Sequence, residues 1–146
     1  MRKTISLSQY VKKRNGVSLG AKRSMRKMLY RSFGAKSFSE FWYYWNPIWS
    51  FYLAKFVLRP VKKHTSAWIA ILATFSISGL LHDLAISLFY MDTYVFFTPW
   101  FALMGLLVLL TQKYSVSFSS YQWFVRALAN SIFIIFSFSI VRLLSF

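Results

Sequence analysis

Cysteine is absent from this 146-residue chain. Thiolate nucleophiles, disulfides and zinc–thiolate sites are therefore excluded, and the redox compartment is not readable from cysteine usage. Acids are almost as scarce. Glu40, Asp83 and Asp92 stand against 18 Lys and Arg, for a formal net charge of +15. No plausible set of metal ligands can be assembled from so few donors. A soluble domain of this size needs many more carboxylates to keep its surface wet. Apolar residues are plentiful: 57% of the chain is hydrophobic and 21% aromatic. Long apolar runs with few charges read as an all-α integral membrane protein. There is no Pro/Gly/Ser-rich linker and no internal repeat, so the chain has room for one small domain.

Residues 1–36 carry eleven Lys and Arg and no acid. They hold no apolar run long enough for the core of a signal peptide. One reading is a solvated, partly disordered basic arm on the cytoplasmic side. Another is an electrostatic foot on anionic lipid headgroups, worth about 1 kcal/mol per cation that reaches the surface. The acid-free, Arg- and Ser-containing composition also fits an organellar transit peptide. A nucleic-acid arm is disfavoured, because no reading module follows.

The membrane domain is expected over residues 37–146. Three stretches, 67–91, 94–111 and 123–144, each approach the roughly 20 residues that a spanning helix needs. Trp68, Tyr90, Tyr94, Trp100 and Trp123 lie near their ends, as interfacial anchors do. Cations cluster before the first span at Arg59, Lys62 and Lys63, and Lys113 follows the second. The positive-inside rule then places the N-terminus in the cytoplasm and the C-terminus outside, in a bacterial inner membrane.

Residues 39–63, SEFWYYWNPIWSFYLAKFVLRPVKK, fit no spanning pattern. Asn46 is a good N-cap and Pro47 a good first helical residue, so a helix over about 47–61 is expected. Trp49, Leu53, Phe56 and Val57 share one face, with Lys55, Arg59 and Lys62 off it. That pattern suits an interfacial or re-entrant amphipathic helix. Asn46 is then either a cap alone or a functional amide shielded by Trp45 and Trp49. In the first span, SISGLLHD places His82 about 20 Å from the start of the helix. Ionisable groups at that depth are expensive and seldom idle. Ser78 and Gly79 share the face of His82, so a backbone or a ligand can approach it closely. Asp83 points about 100° away and needs a separate partner.

FWYYWN followed by SGLLHD resembles the membrane-bound O-acyltransferase family, in particular its wax-synthase-like and sterol-acyltransferase-like branches. The resemblance covers about residues 37–89. In that family a Trp–Asn or Trp–His pair in an aromatic segment precedes, by some three dozen residues, a histidine within a spanning helix. Asn46 and His82 match those positions. Tyr52, Arg59 and Pro60 fall where the family often has an aromatic residue and a basic–proline turn. Family members are usually several times longer, so the chain looks like a C-terminal part.

The resemblance implies acyl transfer from an acyl thioester, such as acyl-CoA or acyl carrier protein, to a hydroxyl acceptor, with no other cofactor. His82 is the expected general base. Asn46 orients the acceptor or stabilises the oxyanion. Trp45, Trp49, Ser78 and Arg59 are the candidate substrate-binding residues. The short chain implies a homo-oligomer or a second membrane subunit beside the membrane lipids. The alternative is a non-catalytic small membrane protein: a relic, scaffold or regulatory subunit.

Overall fold

A computed structural model describes residues 5–145. It is helical, with no strand among the described residues. In chain order the elements are α1 (Leu7–Asn15), α2 (Ser24–Phe33), α3 (Phe38–Tyr44), α4 (Pro47–Leu53), a π-helical turn (Ala54–Leu58), α5 (Arg59–His64), α6 (Ala67–Tyr90), α7 (Phe97–Lys113) and α8 (Trp123–Leu144).

The described part of the basic N-terminal segment is largely helical, in α1 and α2, while Arg2 and Lys3 lie outside the described residues. Ser6 and Gln9 form a reciprocal capping box at the start of α1, and Gly16 ends the helix in the left-handed region at φ 78°. Asn15 is buried, and its Nδ2 donates to the Ser24 carbonyl and hydroxyl at 3.1 and 2.7 Å, which ties α1 to α2. The far end of α2 is held by α8. Asn130 is fully buried and donates to the carbonyls of Phe33 and Ala35 at 3.1 and 3.0 Å. Trp123 stacks on Tyr30 and donates to its carbonyl at 2.9 Å. The bond to the Phe33 carbonyl satisfies a C-terminal carbonyl that α2 cannot pair internally. Hydrogen bonds therefore cross the division expected at residue 36.

α3 begins at Ser37, whose hydroxyl accepts from Glu40 N, while the Glu40 carboxylate accepts from Lys36 N. The helix buries Phe38 and Phe41 against Met104 and Val108 of α7, and Phe38 stacks on Phe133 of α8. Aromatic bulk thus supplies the core of the bundle, with the rings in offset or edge contacts.

α4, the π turn and α5 form one rod that folds back along α6. The expected helix start at Asn46–Pro47 is present, and the rod runs on to His64. Pro60 accounts for the π turn. It has no N–H and its ring clashes with the carbonyl four residues earlier, and a π turn accommodates both. The turn inserts one residue per cycle and shifts the facing residues. Leu53, Ala54 and Leu58 face inward, and Phe56 is exposed, contrary to a plain α register.

Two helices, α6 and α8, are long and apolar enough to cross a membrane. Only 22% of the most apolar stretch of α6 and 17% of that of α8 is buried within the chain, unlike the core helix of a soluble protein. α7 is apolar but has 17 residues. It starts later than expected because residues 93–95 are not helical and Asp83 of α6 caps its first turn. At Gly79 an added Cβ would lie 2.4 Å from the Phe97 carbonyl oxygen, so α6 and α7 meet backbone to backbone there.

Candidate functional site

Asn46, Trp45, Trp49, Ser78 and His82 line one cavity of about 210 Å³. α3, α4 with the π turn, α6 and α7 form most of its wall. Trp42, Phe75 and Phe101 make much of the wall aromatic. Of the expected substrate-binding residues, Arg59 stands apart. It is exposed beyond the π turn and does not line the cavity. His64 is likewise exposed and outside.

The His82 ring is half-buried and boxed by aromatics. Phe101 stacks on it at 5.1 Å between centroids, Phe97 lies at 5.6 Å, and Trp49 meets it edge-on at 6.0 Å. Its Nδ1 lies 2.7 Å from the Ser78 carbonyl oxygen. A carbonyl can only accept, so Nδ1 carries a proton here, and the neutral form of this ring is the Nδ1–H tautomer. Nε2 then carries the lone pair, in a ring whose plane is fixed by its neighbours. Ser78 also accepts from Trp49 Nε1 at 2.9 Å, which locks α4 onto α6 beside the imidazole.

Asn46 has two roles at once. Its Oδ1 accepts from Trp49 N at 3.2 Å, capping α4, and its backbone sits in the left-handed region at φ 37°. Asn tolerates that conformation better than most residues, because its short amide can bond locally. The expectation that Trp45 and Trp49 hide this amide is corrected: Asn46 is exposed. With Oδ1 committed to the cap, the amide Nδ2 is the group left for a ligand.

Asp83 belongs to a different feature. It is buried, and its two oxygens accept from Phe96 N, Phe97 N, Thr98 N and Thr98 Oγ1 at 2.6–2.9 Å. It is the cap of α7 and has no part in a His–Asp pair, as its direction along α6 implied.

Among the wall residues that sequence reasoning missed are Tyr10 and Arg14 of α1. The Arg14 guanidinium lies 4.2 Å from the Tyr10 ring centroid and 4.1 Å from that of Tyr43, and donates to the Tyr43 carbonyl at 2.8 Å. Burial pushes the Arg14 pKa below its ordinary value and that of Tyr10 above, and the charge of each partly offsets the other's shift. The signal was available. A capping box at Ser6–Gln9 and a stop at Gly16 delimit a helix that sets Tyr10 and Arg14 one turn apart.

Among the described residues no three His, Asp or Glu side chains gather to hold a metal ion. Comparison with protein-family models, with curated proteins and with solved structures found no match to this chain.

Proposed function

We propose that this chain is a membrane-embedded O-acyltransferase-like protein that moves an acyl group from an acyl thioester to a hydroxyl. The observation that carries this reading is the contact of His82 Nδ1 with the Ser78 carbonyl, in the wall of an aromatic cavity. In its neutral form, an imidazole that donates from Nδ1 to a carbonyl leaves Nε2 unprotonated, which is what a general base requires. The resemblance of FWYYWN and SGLLHD to the membrane-bound O-acyltransferases supplies the reaction class.

In this reading the acceptor hydroxyl attacks the thioester carbonyl while Nε2 of His82 takes its proton. The C–O bond forms, and the Asn46 Nδ2 donates to the developing oxyanion. Collapse breaks the C–S bond, and the imidazolium returns the proton to the leaving thiolate. The aromatic walls hold the acyl chain and exclude water. Acyl-CoA or acyl carrier protein serves as donor. The protein sits in a bacterial inner membrane with α6, α7 and α8 as three spans. α7, at 17 residues, is at the short limit for crossing. The rod of α4, the π turn and α5 re-enters beside α6. The N-terminus is cytoplasmic, and the working unit contains more than one copy or a second membrane subunit.

Lipid profiling of cells with and without the gene tests the proposal. It expects an acylated hydroxyl product that disappears with the gene and returns with wild type but not with His82→Ala. Unchanged profiles in all three would overturn it.

A further inference from the structure

Two groups in the cavity wall lack a complement. One is the charge of Arg14. Buried or half-buried cations are normally matched by a carboxylate, because desolvation is otherwise uncompensated. Here every acid is committed elsewhere. Glu40 accepts from Lys36 N and Tyr44 Oη, Asp83 caps α7, and Asp92 accepts from Thr93 N. No carboxylate among the described residues pairs with Arg14, which has two aromatic faces and one carbonyl for company. That carbonyl uses one of the five N–H donors of a guanidinium. The other group is the Trp42 indole N–H, which is buried without an acceptor.

Arg14 is also held in place. Its own carbonyl accepts from Arg31 Nη1 at 2.5 Å, Gly16 ends the helix two residues on, and Asn15 is anchored to Ser24. The guanidinium is therefore a fixed cation in the wall of a largely aromatic cavity, with His82 in the same wall. Lys12 and Lys13, its neighbours on α1, are exposed and do not line the cavity.

The geometry points to Arg14 as the anion-binding end of this cavity: it receives a carboxylate or phosphate of a ligand whose apolar part lies among the aromatic rings beside His82. The inference rests on reading the cavity as a substrate site, and it names the substrate class as an anionic amphiphile. The anion is either a phosphate carried by the acyl donor or a carboxylate on the other substrate. A planar carboxylate and two oxygens of a tetrahedral phosphate each match the paired N–H donors of a guanidinium.

The test is direct binding to the full chain in nonionic detergent, read by bromine quenching of the tryptophans, three of which line the cavity. The probes are a terminally brominated fatty acid in alkaline buffer, its methyl ester, and the matching brominated alkyl phosphate. Wild type is expected to bind at least one anion about 10-fold more tightly than the ester, the scale of one charge-assisted contact. The tighter anion identifies the source. Arg14→Met is expected to abolish the preference while ester binding persists, which also shows that the variant is folded. Arg14→Lys keeps a reduced preference, and Lys12→Gln, which removes the same charge from the same helix, keeps it whole. Equal binding of acid, phosphate and ester by wild type would overturn the inference, as would a preference that survives in Arg14→Met or vanishes equally in Lys12→Gln. No acyl transfer is needed for this readout, so failure of the catalytic reading and failure of the anion site are separable.

Discussion

Asn46 and His82 are one helix cap and one buried-face imidazole, and each has a plain packing role. The Asn46 Oδ1 caps α4, and His82 Nδ1 is satisfied by a carbonyl one turn back along α6. What distinguishes function from packing is the other end of each side chain. Asn46→Asp separates the two. An aspartate keeps the capping oxygen and tolerates the left-handed backbone, but it has no N–H to offer. If Nδ2 stabilises an oxyanion, Asn46→Asp and Asn46→Ala should both lose about 10- to 1000-fold in acyl transfer. Only Asn46→Ala should also lose about 1 kcal/mol of stability. Transfer rates and thermal unfolding measured on both variants check this. Full activity in Asn46→Asp would leave Asn46 as a cap.

At the scale of elements, the site depends on how α7 is seated against α6. Gly79 allows the close approach and Asp83 caps the first turn of α7, and both positions are buried. Gly79→Ala should therefore cost about 1–3 kcal/mol, because the clash is with backbone that cannot swing aside. Asp83→Ala leaves three backbone N–H groups without their acceptor and should speed amide exchange at Phe96, Phe97 and Thr98. Exchange unchanged at those amides would show that the cap is dispensable. The three apolar helices were legible in the sequence, and two of them, α6 and α8, are long enough to cross a membrane. So was the start at Asn46–Pro47. The inward register after Leu53 was not, since Pro60 imposes a π turn that no α-helical spacing anticipates. Tyr10 and Arg14 were legible only as one helix face, from the caps of α1; a segment this basic reads as solvated, and its docking shows only in the structure, through the buried Asn15 and Asn130. Asn130→Ala should accordingly loosen α2 and accelerate tryptic cleavage at Arg26, Lys27 and Arg31. Cleavage at the wild-type rate would argue against that anchor.

For the whole molecule, few residues of the two long helices are fully buried within the fold, and many of their large apolar side chains are exposed. In the proposed membrane setting these side chains meet lipid or another copy of the chain. The charge asymmetry around α6 predicts a cytoplasmic N-terminus and an external C-terminus. A reporter fused after Phe146 that is active only in the cytoplasm would contradict three spans. Everything else rests on whether the cavity performs chemistry. The most direct measurement is transfer from radiolabelled acyl-CoA in membranes bearing wild type or His82→Ala at equal expression. A drop of about 100-fold or more with insertion intact is the expected result for loss of a general base. Transfer at the wild-type rate by His82→Ala would contradict the catalytic role of His82 and, with it, the proposed function.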